Sequence, residues 1–229
     1  MRMRALLSMR WDDVLFAHWP VDPGVVAPTL PDGLAVDTDG GDAYLGVVGF
    51  RMDPIRPRGA PFGLSFPELN LRTYVRSADG PGVYFYNLDA DDRIGVTLAR
   101  ALFELPYYRA EMRVEDGEDG IRFRSRRTHR DAASARFDAT YRPTGTAKPV
   151  APDSLDAFLT ERYRFYTESE GGRLYRGDIE HPPWEVSDAT LSIRSNTLFE
   201  ANGFDRPAGE PLVRYSPGSD VTAGRLRRA

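Results

Sequence analysis

Nine consecutive residues, Glu68-Leu69-Asn70-Leu71-Arg72-Thr73-Tyr74-Val75-Arg76, alternate between two chemistries without a break. Successive side chains of a strand leave on opposite faces. Leu69, Leu71, Thr73 and Val75 therefore share one face, and Glu68, Asn70, Arg72, Tyr74 and Arg76 the other. A helix face needs a period of 3.6, which this segment lacks. Asp79-Gly80-Pro81-Gly82 supplies a turn and Val83 to Leu88 returns, so the pattern predicts a β-hairpin.

The same grammar recurs along the chain. Ala43 to Phe50 is an apolar run with the length and Val content of a buried strand. Strands are expected at Tyr108–Val114, Ile121–Thr128 and Ala135–Arg142, and again between Leu174 and Leu198, where His181-Pro182-Pro183 interrupts them. Asp22-Pro23-Gly24, Leu30-Pro31-Asp32-Gly33 and the stretch from Asp53 to Pro67 read as turns and loop. Two helices are expected. One is capped by Asp89 or Asp91, carries Ile94, Leu98, Ala101, Leu102 and Leu105 on one side, and stops at Pro106. The other is capped by Asp153 or Ser154 and contains Leu155, Phe158, Leu159, Arg162 and Tyr163. Many short strands with two helices define an α+β class, mainly antiparallel β and curved or closed; a doubly wound sheet would alternate helix with strand. One domain over residues 1–229 is expected, with a core from about 11 to 215 and frayed ends, including the basic tail after Pro217.

Composition narrows the chemistry. The chain has no cysteine, which removes disulfides, thiolate nucleophiles and Cys-type metal sites. Thirty basic residues face 34 acidic ones, a net charge of -4 that argues against a nucleic-acid partner. All the basic residues but Lys148 are arginine, and Lys148 sits in a Pro- and Thr-rich connector, so amine catalysis has almost no candidate. His18, His129 and His181 are far apart and have no metal-type partners at i+2 to i+4. No phosphate-binding loop, dinucleotide fingerprint or serine elbow occurs, so neither cofactor nor metal is expected. Residues 1–10 are too charged for a signal peptide, and no run approaches the ~20 apolar residues of a membrane span, so the cytoplasm is the expected location.

Three groups of residues could carry function. The polar face of the alternating strand holds Glu68, Asn70, Arg72 and Tyr74. Facing a cavity, it would put a proton-transfer carboxyl near a guanidinium able to grip a carboxylate; otherwise it is the wet face of an amphipathic strand. Tyr107 and Tyr108 follow Pro106 and offer hydroxyls to an oxyanion, unless they only pack. Arg124, Arg126, Arg127, His129 and Arg130 form a basic cluster, open either to an anion, with Arg127 the candidate carboxylate ligand, or to pairing with Glu115, Glu118 and Asp119.

Several motifs together resemble the YqjF-like family. They are Leu15-Phe16-Ala17-His18-Trp19, Leu30-Pro31-Asp32-Gly33-Leu34, Glu68 to Val75, Gly82-Val83-Tyr84-Phe85, Ala99-Arg100, Leu105-Pro106-Tyr107-Tyr108 and Leu159-Thr160-Glu161-Arg162-Tyr163. They run in order from about Trp11 to Tyr215. That family is similar to the acetoacetate decarboxylase-like superfamily. The resemblance implies a cone-like antiparallel β-barrel with an internal polar cavity for a small keto or carboxylate ligand. It also places the decarboxylases' lysine pair at Tyr107-Tyr108 and their cavity glutamate at Glu68. Schiff-base chemistry is then not expected to carry over. A cofactor-independent enzyme, with Glu68 as acid/base and Tyr107 or Tyr108 steadying an oxyanion, remains open beside a pure binder and a closed structural core. The decarboxylase relatives form large assemblies, so a homo-oligomer is open too.

Overall fold

The computed structural model describes residues 5–92 and 104–229. Its strands are β1 (Leu7–Val21), β2 (Ala35–Val36), β3 (Ala43–Pro57), β4 (Leu64–Ser77), β5 (Gly80–Ala90), β6 (Tyr107–Gly117), β7 (Gly120–Arg127), β8 (Arg136–Pro143), β9 (Lys148–Pro149), β10 (Arg164–Glu168), β11 (Leu174–Glu180), β12 (Glu185–Asn196), β13 (Leu212–Ala223) and β14 (Arg227–Arg228). Among the described residues three short α-helices accompany them: α1 (Pro23–Val26), α2 (Leu155–Thr160) and α3 (Leu198–Ala201).

The sheet is curved and barrel-like, and it forks twice. One edge of β5 pairs along its length with β4, antiparallel. Its other edge is shared by two parallel partners, β10 at Val83–Tyr84 and β6 at Leu88–Ala90. β13 forks in the same way, with β1 on one edge and β12 and β11 dividing the other. The strands thus close into two rings that share the wall β13-β1-β3-β4-β5. β10 and β11 complete the smaller ring; β6, β7, β8 and β12 complete the larger. The antiparallel expectation holds for most pairings, and the two parallel ones lie at the fork in β5.

A shared wall is buried on both faces, and β4 shows what that does to an alternating strand. Leu69 and Leu71 pack with Phe123, Phe137, Leu198 and Phe199 in the larger ring. Tyr74 belongs to the apolar core of the smaller one, which also holds Phe16, Phe66 and Leu88. Glu68, Asn70 and Arg72, which the alternation alone allowed to be a wet face, are no more than 6% exposed. Val14 to Trp19 of β1 is buried without interruption for the same reason. That run hides its period of two, and β1 was not expected as a strand.

Other expectations need correction. α2 starts where Ser154 accepts a hydrogen bond from the Ala157 amide, as expected, but it ends at Thr160 because Glu161 leaves helical geometry (φ −82°, ψ 64°). Arg162 and Tyr163 lie beyond it. Asp89 belongs to β5 rather than to a helix cap. Most of the helix expected up to Pro106 falls on residues 93–103, outside the described residues. The strands run on past Pro217: Val221 of β13 is fully buried, and β14 pairs with β11. Among the described residues no helix is long and apolar enough to cross a membrane.

Candidate ligand site

A cavity of about 420 Å³ lies inside the smaller ring. Its walls are mainly apolar, with Trp11, Phe16, Phe66, Leu88, Phe165 and Trp184 prominent. Polar groups enter chiefly from Glu68, Asn70 and Arg72 on β4, Tyr107 at the start of β6, Thr160 at the end of α2 and Arg162 just beyond it. The alternation of β4 puts residues 68, 70 and 72 on one face, and the shared wall turns that face inward.

Glu68 is 3% exposed, and the Tyr107 hydroxyl donates to its Oε2 at 2.7 Å. Burial pushes the Glu68 carboxyl up to about 7; hydrogen bonds from Tyr107 and Asn70 pull against this, and the charge of Asp89 adds to it. Burial and the neighbouring Glu68 hold the Tyr107 hydroxyl well above its ordinary range. A carboxyl poised near neutrality gives and takes a proton with little driving force either way, as general acid–base work requires. Asn70 Oδ1 is buried without a hydrogen-bond partner.

Arg72 is built differently. One guanidinium nitrogen donates to Leu159 O at 3.2 Å and to the Tyr74 hydroxyl at 3.4 Å, while Nε is buried without a partner. Among the described residues, no carboxylate lies within ion-pair distance of it. The Phe16 and Tyr74 rings, each centred 5.7 Å away, flank the cation. The Tyr74 hydroxyl donates its one hydrogen to Leu159 O at 2.8 Å, so His18 Nε2, 2.6 Å from it, supplies its own. Burial, with the charges of Arg72 and Arg214, keeps that imidazole neutral.

Glu68, Asn70, Arg72 and Tyr107 are thus brought together. Tyr74 stands behind Arg72, outside the lining, with its hydroxyl committed to Leu159. Tyr108 and Arg127 also lie away from the cavity wall. The Arg127 guanidinium sits 4.2 Å from the Tyr108 ring centre, and its Nε donates to the buried Asp89 at 2.9 Å. Burial lifts Asp89 to about 6 even beside that cation. Elsewhere in the basic cluster, Arg124 pairs across strands with Glu115 and Arg126 with Glu111. Lys148 is exposed on β9, away from the lining. Sequence reasoning missed Thr160 and Arg162, because both were read as positions in a longer helix. Arg162 is held by Asp37 at 2.8 Å and lies over the Phe158 ring at 4.3 Å.

The fold is shared with solved structures of the acetoacetate decarboxylase-like class. The chain superposes on the enduracididine biosynthesis enzyme MppR complexed with pyruvate with a TM-score of 0.66 at 15% identity, covering 100% of this chain and 91% of that one. An acetoacetate decarboxylase-like enzyme from Sphingomonas wittichii RW1 gives 0.66 at 13%, covering 99% and 94%. Acetoacetate decarboxylase from Legionella pneumophila gives 0.65 at 13%, covering 99% and 88%. The fold is acetoacetate decarboxylase-like. The chain itself belongs to the DUF2071 family (uncharacterized conserved protein), which it matches over residues 8–220. It is 41% identical over 226 residues to the uncharacterized protein YqjF of Bacillus subtilis (strain 168), covering 97% of this chain and 92% of that protein.

Proposed function

We propose that this chain binds an organic carboxylate, of the keto acid kind or related to it, in the cavity of the smaller ring, and does so without a Schiff base. One observation carries the reading: the Arg72 guanidinium is buried at the cavity wall with no carboxylate partner among the described residues. A buried cation is costly unless paired, and a carboxylate ligand supplies the missing charge in the geometry a guanidinium favours. The pyruvate carried by the MppR structure is an acid of this type on the same fold. Lys148, the chain's single lysine, is exposed and outside the lining, and the position the family resemblance assigns to the lysine pair begins with Tyr107.

A second reading has its own support. Glu68, near 7 and hydrogen-bonded to Tyr107, suits proton transfer on a bound keto or enol acid without a cofactor. Native mass spectrometry of protein purified from its own host distinguishes the two. An acid that stays chemically intact on the protein and is lost in Arg72→Met supports binding. Conversion of that acid, abolished in Glu68→Gln while binding persists, supports catalysis. Protein free of acids in every preparation, and indifferent to added carboxylates, contradicts both.

A further inference from the structure

Resting on the reading of Arg72 as a carboxylate anchor, we infer that the ligand is an amphipathic monocarboxylate: an acid group at Arg72 and an apolar tail running along β4 toward the β3–β4 turn. Residues 64, 66, 68, 70 and 72 share one face of β4, and all five line the cavity. From Leu64 to Arg72 the strand advances eight residues, about 26 Å. Chemistry is graded along that line, with Arg72, Asn70 and Glu68 at one end and Phe66 and Leu64 at the other. The lining residues classed as exposed, Arg56, Pro57, Phe62, Gly63 and Leu64, all come from the turn end, and there Phe62 is 84% exposed. Arg56 aside, the mouth is therefore apolar, and the anchor is deep.

Size points the same way. A volume of about 420 Å³ is within the ~300–1,000 Å³ of pockets that enclose drug-sized ligands. Glu68 and Arg72 are four residues apart on one strand, about 13 Å between Cα atoms. An acid of three or four carbons held at Arg72 leaves the Phe66 end empty. A longer one fills it and passes Glu68 on the way. An apolar wall also gains from every added methylene, whereas a site made for pyruvate-sized acids does not.

The test is a titration of the purified full-length protein with straight-chain monocarboxylates from acetate to dodecanoate, together with the matching alcohols. Affinity should rise about threefold to fourfold per methylene, level off when the cavity is full, and favour each acid over its alcohol. Phe62→Asp, an exposed position where folding is not at stake, should weaken the long acids and spare the short ones. Binding that is independent of chain length but still lost in Arg72→Met overturns the tail and leaves the anchor standing. Acids and alcohols that bind alike, or not at all, overturn the anchor and the tail together.

Discussion

Tyr107 reaches Glu68 across an intervening strand, its hydroxyl donating to Oε2 at 2.7 Å over β5, which pairs with both parent strands. Tyr107 lies opposite Leu88, and Leu88 opposite Asn70, so the three strands present Glu68, Asn70 and Tyr107 to one space. The fork in β5 makes this possible, because it brings the first residue of β6 to the wall of a ring that β6 then leaves. An acid and its hydrogen-bond donor are thereby fixed by three backbones rather than by loops.

Glu68 makes stability depend on pH in a defined direction. Its carboxyl is raised from 4.5 to about 7, so the fold prefers the neutral form. That contribution is fully present below pH 4.5 and is lost as pH rises to about 7, a change on the order of 3 kcal/mol. Glu68→Gln imitates the neutral acid. Its melting temperature relative to the parent should therefore improve by several degrees between pH 5 and pH 8. An offset that is the same at both pH values argues against a buried, shifted Glu68.

The Tyr107 hydrogen bond opposes that shift. Tyr107→Phe should move the Glu68 titration upward, above 7, as followed by carboxyl carbon NMR on glutamate-labelled protein. A midpoint that stays put or falls contradicts the contact.

Asp89 and Arg127 are both almost fully inaccessible, and they depend on each other. Arg127→Met should cost about 3–5 kcal/mol in urea denaturation at pH 8 by leaving a buried carboxylate alone. Because Asp89 already titrates near 6, the cost should shrink at pH 5, where the acid is neutral. Asp89→Asn combined with Arg127→Met should recover most of the loss. A cost that is equal at both pH values contradicts the pairing.

Gly46 lets His18 stand behind Tyr74. A Cβ there would lie 2.7 Å from His18 Cδ2 and 2.9 Å from Nε2, closer than such atoms approach. Gly46→Ala should lose about 1–3 kcal/mol and, by displacing the imidazole from Tyr74, weaken carboxylate binding as well. Full stability together with parental affinity would show that the His18–Tyr74 contact does not support Arg72.

The alternation of β4 was legible because its two faces carry different chemistry, and the hairpin followed from the Asp79–Gly82 turn. The burial of both faces was not legible, since a period of two looks the same whether the polar side meets water or a cavity. β1 escaped for the opposite reason: Val14 to Trp19 is buried on both faces and, His18 apart, apolar, so it shows no period. Tyr107 and Tyr108 looked alike as a pair, yet neighbours on a strand face opposite ways. Only the position of β6 at the fork decides which one meets Glu68. Arg127 looked available because its partner, Asp89, lies 38 residues away in sequence.

The most direct measurement of the account is calorimetric titration of the parent and Arg72→Met with octanoate at pH 7. Methionine keeps the length and the burial while removing the charge. The parent should bind, and the variant should bind at least about 30-fold more weakly, corresponding to ~2 kcal/mol or more for a buried charged contact. Equal affinities, or a parent that does not bind, would contradict a carboxylate site at Arg72.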